Sequence, residues 1–426
     1  MKWYIFLILK IFLVQYAAAQ NEPQSLTLQE SYDLVQQNYP LAGKAEIQRK
    51  ITELNRNIAK SGWYPDVQIR AETSYQSDVI DVPFAAPGTN PPEFSHDHYN
   101  LSLDINQSVF DGGRTRSLIE MEEYSGEAEQ ARIESEMRGI RSQVDQVYFG
   151  ILMMIKQEES LQILIGDIQE QLEMVRTRVR NGVLLPGDEL VLRAEQIKAE
   201  QRLVQIQADI RAGYDVLGEL VGIPVSEKTV LELPGAEGWE YEGAVNRPEY
   251  DLFAANKLAL DSQKKLTASE KIPSFSLFAR TAYGRPGLNA FDDELQLYWI
   301  VGVRAQWSFK STRNATGKAE VLSLQQRNLD ADRDAFTRQL NSTLHQTEEK
   351  IEALEVQLKQ DEEVLELRTQ ITAEKRKQLE QGSITSTEYI TELNAENLAR
   401  IDLELRRIQR IKAISEYETQ KGISWN

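Results

Sequence analysis

The chain has 426 residues, enough for two or three ordinary domains, and a formal net charge of −18 without a dominant basic stripe, which excludes a nucleic-acid partner. It contains no cysteine, which excludes disulfides, thiol chemistry and thiolate metal sites. Only three histidines are present, and no phosphate-binding loop, dinucleotide fingerprint or GxSxG motif occurs, so we expect neither an enzyme nor a bound cofactor.

Residues 1–19 have the pattern of a secretory signal, with Lys2 before an apolar run and small residues before an expected cleavage after Ala19. The alternative is an N-terminal membrane anchor. Lys10 interrupts the run, however, and the run is shorter than the ~20 residues that a spanning helix needs. No later segment is long and apolar enough to span a bilayer as a helix. A membrane-inserted form of this protein would therefore use strands.

The first elements after the signal are predicted to be a helix and two strands. Apolar residues at helical spacing predict a helix over 28–60, with Ser25 and Thr27 as candidate caps and a break or kink at Pro40. The period then changes from 3.6 to 2, which predicts strands at 66–76 and 100–110, each with one apolar and one polar face. A strand of about ten residues has the length that a tilted membrane strand needs.

A long helix is predicted next, because residues 114–181 contain no proline and their apolar residues recur in steps of three and four. Such a helix would be on the order of 100 Å long, which indicates a coiled-coil-like assembly. Gly182 turns the chain, and a second helix is expected over 188–221. Residues 225–245, rich in glycine and proline, form the predicted linker.

The second half follows the same order of elements. The sequence predicts a helix at 248–270, strands at 274–284 and 296–309, a long helix at 315–381, a turn at Gly382 and a last helix at 385–421 that begins with a capping box of Thr385 and Glu388.

A fixed offset of 200 residues relates the two turns and the helices that follow them, with Gly182 aligned to Gly382 and Asp188 to Glu388. This period is far longer than that of a solenoid. We interpret it as an internal duplication, with residues 20–224 as the first repeat and 246–426 as the second.

The predicted strands have apolar faces, and the sequence offers no helical layer to cover them. Lipid would cover them, and aromatic residues near the strand ends, such as Tyr298, Trp299, Trp307 and Phe309, suit the interfacial girdle of a membrane barrel. Four strands cannot close a barrel, since the smallest has eight, so two, three or four chains would have to share one of 8, 12 or 16 strands. The alternative is a soluble antiparallel sheet over a core of its own.

The order and spacing of several short motifs make the chain resemble the outer-membrane efflux protein family, the TolC-like channels. The motifs cover nearly the whole mature chain and are LTLQESYDLVQQNYPL, VNRPEY, GWYPDVQI, KIPSFSLF, QSVFDGGR, QWSFKSTR, VRNGVLLPGDEL and LEQGSITSTEYI.

The resemblance implies an α+β membrane protein that forms a homotrimer. Four antiparallel strands per chain would complete a 12-stranded barrel in the bacterial outer membrane, and the long helices would form an α-helical barrel in the periplasm. The function implied is that of an exit duct in tripartite efflux or type I secretion. Its partners would be a periplasmic adaptor protein and an inner-membrane transporter of the RND or ABC type.

The resemblance also implies roles for residues at the two turns. The segments that match the family's adaptor-binding tips are Gly182, Val183, Leu184 and Leu185, and Gly382, Ser383, Ile384 and Thr385. Asp188 and Glu388 match positions at the periplasmic gate. Asp188 matches a position in polar links that lock the gate, and Glu388 matches the place where the family often has a ring of carboxylates, whose three copies near the axis would favour cations. The family often has an arginine in place of Ile384 and a tyrosine in place of Leu379, so we expect this gate to be held differently, for instance by packing.

Two alternatives complete the interpretation. His96 and His98 could bind a metal, but paired loop histidines without further fixed ligands are usually solvated, so we predict no metal site. The alternative to a channel is a periplasmic coiled-coil protein of the cell envelope without a pore. The basic residues before each turn are assigned to the helix C-termini, where they complement the helix dipole, rather than to substrate binding.

Overall fold

The computed structural model describes residues 25–79, 94–235, 244–289 and 292–422. The predicted signal at 1–19 and positions 236–243 of the predicted linker lie outside the described residues. The chain divides into two compact units. Unit 1 consists of Met1–Ala45, Ile133–Pro248 and Ala335–Asn426, and unit 2 of Glu46–Arg132 and Glu249–Asp334. Each unit therefore takes segments from both halves of the sequence.

Most described residues are helical. Among them, no helix combines the length and the apolar character that crossing a membrane requires. The helices are α1 (Leu28–Asn38), α2 (Pro40–Lys60), α3 (Arg114–Arg180), α4 (Pro186–Val221), α5 (Pro248–Ser269), α6 (Phe309–Glu380) and α7 (Ser386–Lys421). The strands are β1 (Ser25–Leu26), β2 (Asp66–Tyr75), β3 (Asp97–Phe110), β4 (Val230–Leu231), β5 (Ser274–Arg285) and β6 (Gln296–Gln306).

Local signals set the start and the end of α1. The Thr27 side chain accepts a hydrogen bond from the Glu30 backbone N–H at 3.1 Å, and the Glu30 carboxylate accepts one from the Thr27 N–H at 2.8 Å, which makes a capping box. The helix ends at Asn38 because Tyr39, the residue before Pro40, is extended. Pro40 then begins α2, at a position where its missing N–H costs nothing.

Unit 2 contains an antiparallel sheet of four strands in the order β2-β3-β5-β6. The register places Val67 opposite Ile105 and Ile105 opposite Ala279, and it places Leu277 opposite Val303. Directly opposed residues share a face of the sheet, so the apolar positions of all four strands form one continuous surface.

The apolar surface of the sheet is exposed in the described chain. Ile69 and Leu297 are each 76 % exposed, and Trp299 is 70 % exposed. The opposite face is polar and more closely packed, with the Arg280 guanidinium 2.5 Å from the carboxylate of Asp104, which is 6 % exposed. The described part of the chain therefore buries the polar face of this sheet better than the apolar one.

The structure corrects two details of the predicted strands. The fourth strand ends at Gln306 instead of residue 309, and Phe309 begins α6 with its ring 4.5 Å from that of Trp307. Tyr298 does not belong with Trp299 on the apolar face, because neighbouring residues of a strand point to opposite sides. Its hydroxyl accepts a hydrogen bond from Asn100 on the polar face at 2.9 Å.

The core of unit 1 includes a contact that the sequence did not predict. β1 pairs in parallel with β4, inside the segment predicted to be a linker, so Ser25 lies opposite Val230. The buried Tyr148 hydroxyl on α3 lies 2.7 Å from the carbonyl oxygen of Leu26 and 2.6 Å from that of Glu232. This helix thus fixes the two-stranded ribbon to the core.

A close approach between α2 and α3 gives a test of the packing in unit 2. A Cβ atom added at Gly126 would lie 2.3 Å from the Thr52 side chain, whereas one at Gly139 on the same helix would meet nothing within 4 Å. We expect Gly126→Ala to lower the free energy of unfolding by about 1–3 kcal/mol because the helices must separate. Gly139→Ala should instead raise it by up to about 1 kcal/mol through helix propensity.

Thermal unfolding of the two variants, measured in parallel, provides the comparison. Equal midpoints for Gly126→Ala and Gly139→Ala would show that α2 does not pack against α3 at this point.

Candidate functional site: the two hairpin tips

Each long helix ends in a tight turn built on a glycine in the left-handed region. Gly182 has φ 73° and Gly382 has φ 72°. The N–H of Gly182 donates to the Val179 carbonyl at 3.0 Å, and the N–H of Gly382 donates to the Leu379 carbonyl at the same distance. A side chain at either position would strain the backbone, and the left-handed residue is what lets the chain close these helix ends.

Asp188 connects the two tips. Its Oδ1 accepts a hydrogen bond from the Ser386 backbone N–H at 2.9 Å, and its Oδ2 accepts one from the Leu185 N–H at 3.2 Å. One carboxylate therefore caps the start of α4 and also the start of α7, two helices separated by almost 200 residues of sequence.

Glu388, which the sequence aligns with Asp188, has a different environment. Its backbone N–H donates to the Thr385 hydroxyl oxygen at 3.4 Å, while its carboxylate is exposed. The predicted capping box at Thr385 is thus only half formed, because no bond from the Thr385 N–H to the Glu388 carboxylate completes it. In the first hairpin the corresponding bond is present, and the Leu185 N–H donates to the Asp188 carboxylate. The environments of the two aligned carboxylates differ because the Asp188 carboxylate forms a hydrogen bond that connects the hairpins.

The side chains of the tips divide into two sets. Val183 and Leu185 are 57 % and 74 % exposed, whereas Leu184 and Ile384 pack against the core below the tips. The tips lie side by side, since a Cβ atom at Gly382 would be 3.7 Å from the Val183 side chain. The structure therefore brings the predicted tip residues together and presents two of their apolar side chains outward.

An apolar cluster joins the hairpins directly below the tips. Leu379, at the position where the resemblance would place a tyrosine, is fully buried in it. The buried members are Leu161, Leu164, Ile168, Leu172, Val175, Leu192, Ala199, Leu379, Tyr389, Ile390 and Leu393. Four helices, α3, α4, α6 and α7, supply them.

Polar contacts between the hairpins supplement this cluster, and the sequence did not predict them. The Ser160 hydroxyl donates to Asn397 Oδ1 at 2.8 Å, and Asn394 Nδ2 donates to Glu195 Oε1 at 3.2 Å. Polar positions are common on helix surfaces, so no local pattern distinguishes these four residues from solvated ones.

The two arginines that the 200-residue sequence offset aligns, Arg176 and Arg376, have different partners. Arg176 stays within its own hairpin, with its Nε 2.9 Å from Glu189. Arg376 reaches across to α3, where its guanidinium lies 3.6 Å from the Asp167 carboxylate. The same offset aligns Tyr389 with Glu189, so the second hairpin offers Arg376 no carboxylate of its own at that point.

The electrostatics of this contact reflect partial burial. Desolvation raises the pKa of the Asp167 carboxyl, and the charge of Arg376 opposes that shift. Desolvation also raises the pKa of the Tyr389 hydroxyl, again against the nearby Arg376 guanidinium. Arg376 thus stabilises negative charge at the junction of the hairpins.

The histidine pair considered as a metal site makes other contacts. The His96 ring stacks on Tyr75 with ring centres 5.4 Å apart, and its Nδ1 lies 2.7 Å from the Gln76 carbonyl oxygen. Within the residues that the structure describes, no group of three or more histidine, aspartate or glutamate side chains is arranged to hold a metal ion.

Comparison with known proteins finds a matching family model and solved structures of similar fold. Residues 14–222 match the model of the family described as outer membrane efflux protein. No sequence among the curated proteins matches the chain.

Several solved structures share the fold. The chain is similar to the outer membrane protein VceC from Vibrio cholerae, with a TM-score of 0.76, 15 % sequence identity and coverage of 94 % of this chain and 97 % of that chain. It is also similar to the outer-membrane channel OprN, with a TM-score of 0.77, 14 % identity and coverage of 93 % and 90 %. For the CmeC outer membrane channel of Campylobacter jejuni the values are 0.74, 13 %, 93 % and 85 %.

The bond between Asp188 and Ser386 can be tested by amide hydrogen exchange. We expect Asp188→Ala to speed exchange at the start of α7 by about fivefold, since loss of a capping side chain costs about 1 kcal/mol. Glu388→Ala is the matched control, because the Glu388 carboxylate is exposed at the aligned position.

Equal acceleration of exchange in both variants would show that a general loss of negative charge at the helix starts, and not the link between the tips, is responsible.

Proposed function

The chain belongs to the outer membrane efflux protein family, and from that premise we propose that it is the outer-membrane exit duct of a tripartite efflux or type I secretion system. The observation that supports this most strongly is the exposed apolar face of the four-stranded sheet. A contiguous apolar surface of this kind marks a membrane or an interface. A pore-free coiled-coil protein of the envelope would leave it unexplained.

Closure of the barrel requires further copies of the chain. β2 and β6 are the outer strands of the sheet, and in the described chain neither has a strand partner on its outer side. An open strand edge cannot be left in lipid. Three copies that pair β2 of one with β6 of the next give a 12-stranded barrel, with the apolar face toward lipid and the Asp104–Arg280 face toward the lumen.

The hairpin tips are the proposed docking points for a periplasmic adaptor. Val183 and Leu185 provide exposed apolar side chains beside a glycine turn that holds the backbone in a fixed shape. Ser383 and Thr385 provide the polar counterparts on the second tip. The adaptor would link the duct to an inner-membrane transporter of the RND or ABC type, and the helices would lie in the periplasm.

The same region would form the periplasmic gate, with different roles for the two aligned carboxylates. The Asp188 carboxylate accepts a hydrogen bond from the Ser386 backbone N–H and so connects the two hairpins. The Glu388 carboxylate is exposed and free to face a lumen. The closed state would rest on the buried cluster around Leu379 and on the contact between Arg376 and Asp167.

The proposed membrane surface can be tested with charges on the two faces of the sheet. Val301 lies on the apolar face and is 64 % exposed, so Val301→Lys should cost about 2–4 kcal/mol at the bilayer midplane and reduce the yield of outer-membrane protein. Ser276 lies half-buried on the polar face, and Ser276→Lys is the control.

Membrane fractionation and heat-modifiable gel migration give the readout. Wild type and Ser276→Lys should enter the outer-membrane fraction as heat-modifiable oligomers. A wild-type protein that purifies without detergent as a soluble species would exclude the duct.

The proposed gate role of Glu388 predicts a change in conduction. Three carboxylates near a narrow axis attract cations, so Glu388→Gln should reduce block by divalent cations and alter single-channel conductance in planar bilayers. Glu374→Gln, at an exposed position of α6, is the control. If Glu388→Gln conducts and is blocked as wild type is, Glu388 does not line the constriction.

A further inference from the structure

A buried carboxylate joins three helices in unit 1, away from the hairpin tips. Asp145 lies on α3 and is only 1 % exposed. The hydroxyl of Tyr32, on α1, donates a hydrogen bond to Asp145 Oδ1. The hydroxyl of Ser415, on α7, lies 3.4 Å from the same oxygen and 3.4 Å from the Tyr32 hydroxyl.

The negative charge of Asp145 is poorly compensated. Its second oxygen, Oδ2, is buried and has no hydrogen-bond partner among the described residues, and no cation there forms an ion pair with it. Two charged side chains of α7 shift the pKa of Asp145 in opposite directions: Glu416 raises it and Lys412 lowers it. The Lys412 ammonium lies 3.7 Å from the Glu416 carboxylate. From α3, Arg141 lies over the ring of Tyr32, at 5.5 Å, rather than beside the carboxylate.

Asp145 lies where α1, α3 and α7 meet. Three residues further along α3, Tyr148 contacts the carbonyls of Leu26 and Glu232 and so fixes the β1–β4 ribbon. Two neighbouring residues of α3 therefore contact distant parts of the chain. Tyr148 contacts the β1–β4 ribbon, and Asp145 contacts Tyr32 of α1 and Ser415 of α7. A change of charge here acts on elements that are far apart in the sequence.

We propose that Asp145 is a proton-binding site whose occupancy sets how tightly α1 and α7 are held against α3. The ligand is a proton, the acceptor is the buried Oδ2 oxygen, and the responding elements are the two helices that meet the carboxylate. This proposal does not depend on the membrane surface of the sheet or on the roles of the hairpin tips.

The direction of the pH dependence follows from the burial. Burial raises the pKa of Asp145 to about 6, while the hydrogen bond from Tyr32 works in the opposite direction. In an opened state the carboxyl returns to about 3.9. The packed state therefore binds the proton more tightly, so its extra stability is present at acid pH and is lost as the pH rises through about 6. From pH 5 to pH 7.5 the opening equilibrium should increase about tenfold.

Hydrogen exchange of the full-length protein in detergent, followed by mass spectrometry, measures this opening. After correction for intrinsic exchange rates, peptides from α1 and from the end of α7 should lose about tenfold in protection between pH 5 and pH 7.5. Asp145→Asn removes the titrating group and should abolish the difference. The control Asp402→Asn, at an exposed position of α7, should behave as wild type.

Tyr32→Phe distinguishes proton binding from a merely structural contact. It keeps the carboxyl and removes the donor that favours its charged form, so the midpoint of the pH transition should move upward from about 6. It also serves as the test if Asp145→Asn does not fold. A wild-type protein without the transition, an Asp145→Asn protein that retains it, or a Tyr32→Phe midpoint at or below that of wild type would overturn the proposal.

Discussion

The proposed function depends on the alternation of apolar and polar residues along four strands of one sheet. Because paired strands keep side chains of one face together, the apolar positions of β2, β3, β5 and β6 form a single surface, and that surface is exposed. The polar side carries the ion pair of the buried Asp104 with the partly exposed Arg280, so turning the sheet over would bury apolar groups and expose Asp104. The proposed lipid contact, the shared barrel and the duct all follow from this orientation.

At the hairpin tips the physical problem is the termination of helices that would otherwise leave their last carbonyls unpaired. Left-handed glycines solve it in both halves, and the two turns have nearly the same geometry. The aligned carboxylates then diverge, since Asp188 caps two helices and Glu388 remains exposed. Two turns of similar geometry can thus use one carboxylate for structure and the aligned carboxylate for a proposed role in conduction.

Unit 1 adds a second kind of polar contact, placed in the core instead of at the surface. Tyr32, Asp145 and Ser415 come from three helices, and burying their polar atoms is costly unless they satisfy one another. The Asp145 carboxyl is only partly satisfied, and its burial is the physical origin of its raised pKa. Comparable links at the tips, such as Arg376 with Asp167, are more open to solvent.

The sequence by itself determined the features that depend on neighbouring residues. Periodicity and Thr27, Pro40, Gly182 and Gly382 located helices, strands and turns within a few residues, and the resemblance carried by short motifs pointed to the family. Only the tertiary structure decided which distant residues meet: β1 with β4, Asp188 with Ser386, and Asp145 with Tyr32 and Ser415. Local patterns arise from backbone geometry and are repeated along the chain, whereas a contact between residues 100 to 400 positions apart leaves no periodic signal. The predicted end of β6 at residue 309 is wrong for a local reason, since Trp307 and Phe309 continue the apolar alternation while the pairing with β5 stops at Gln306.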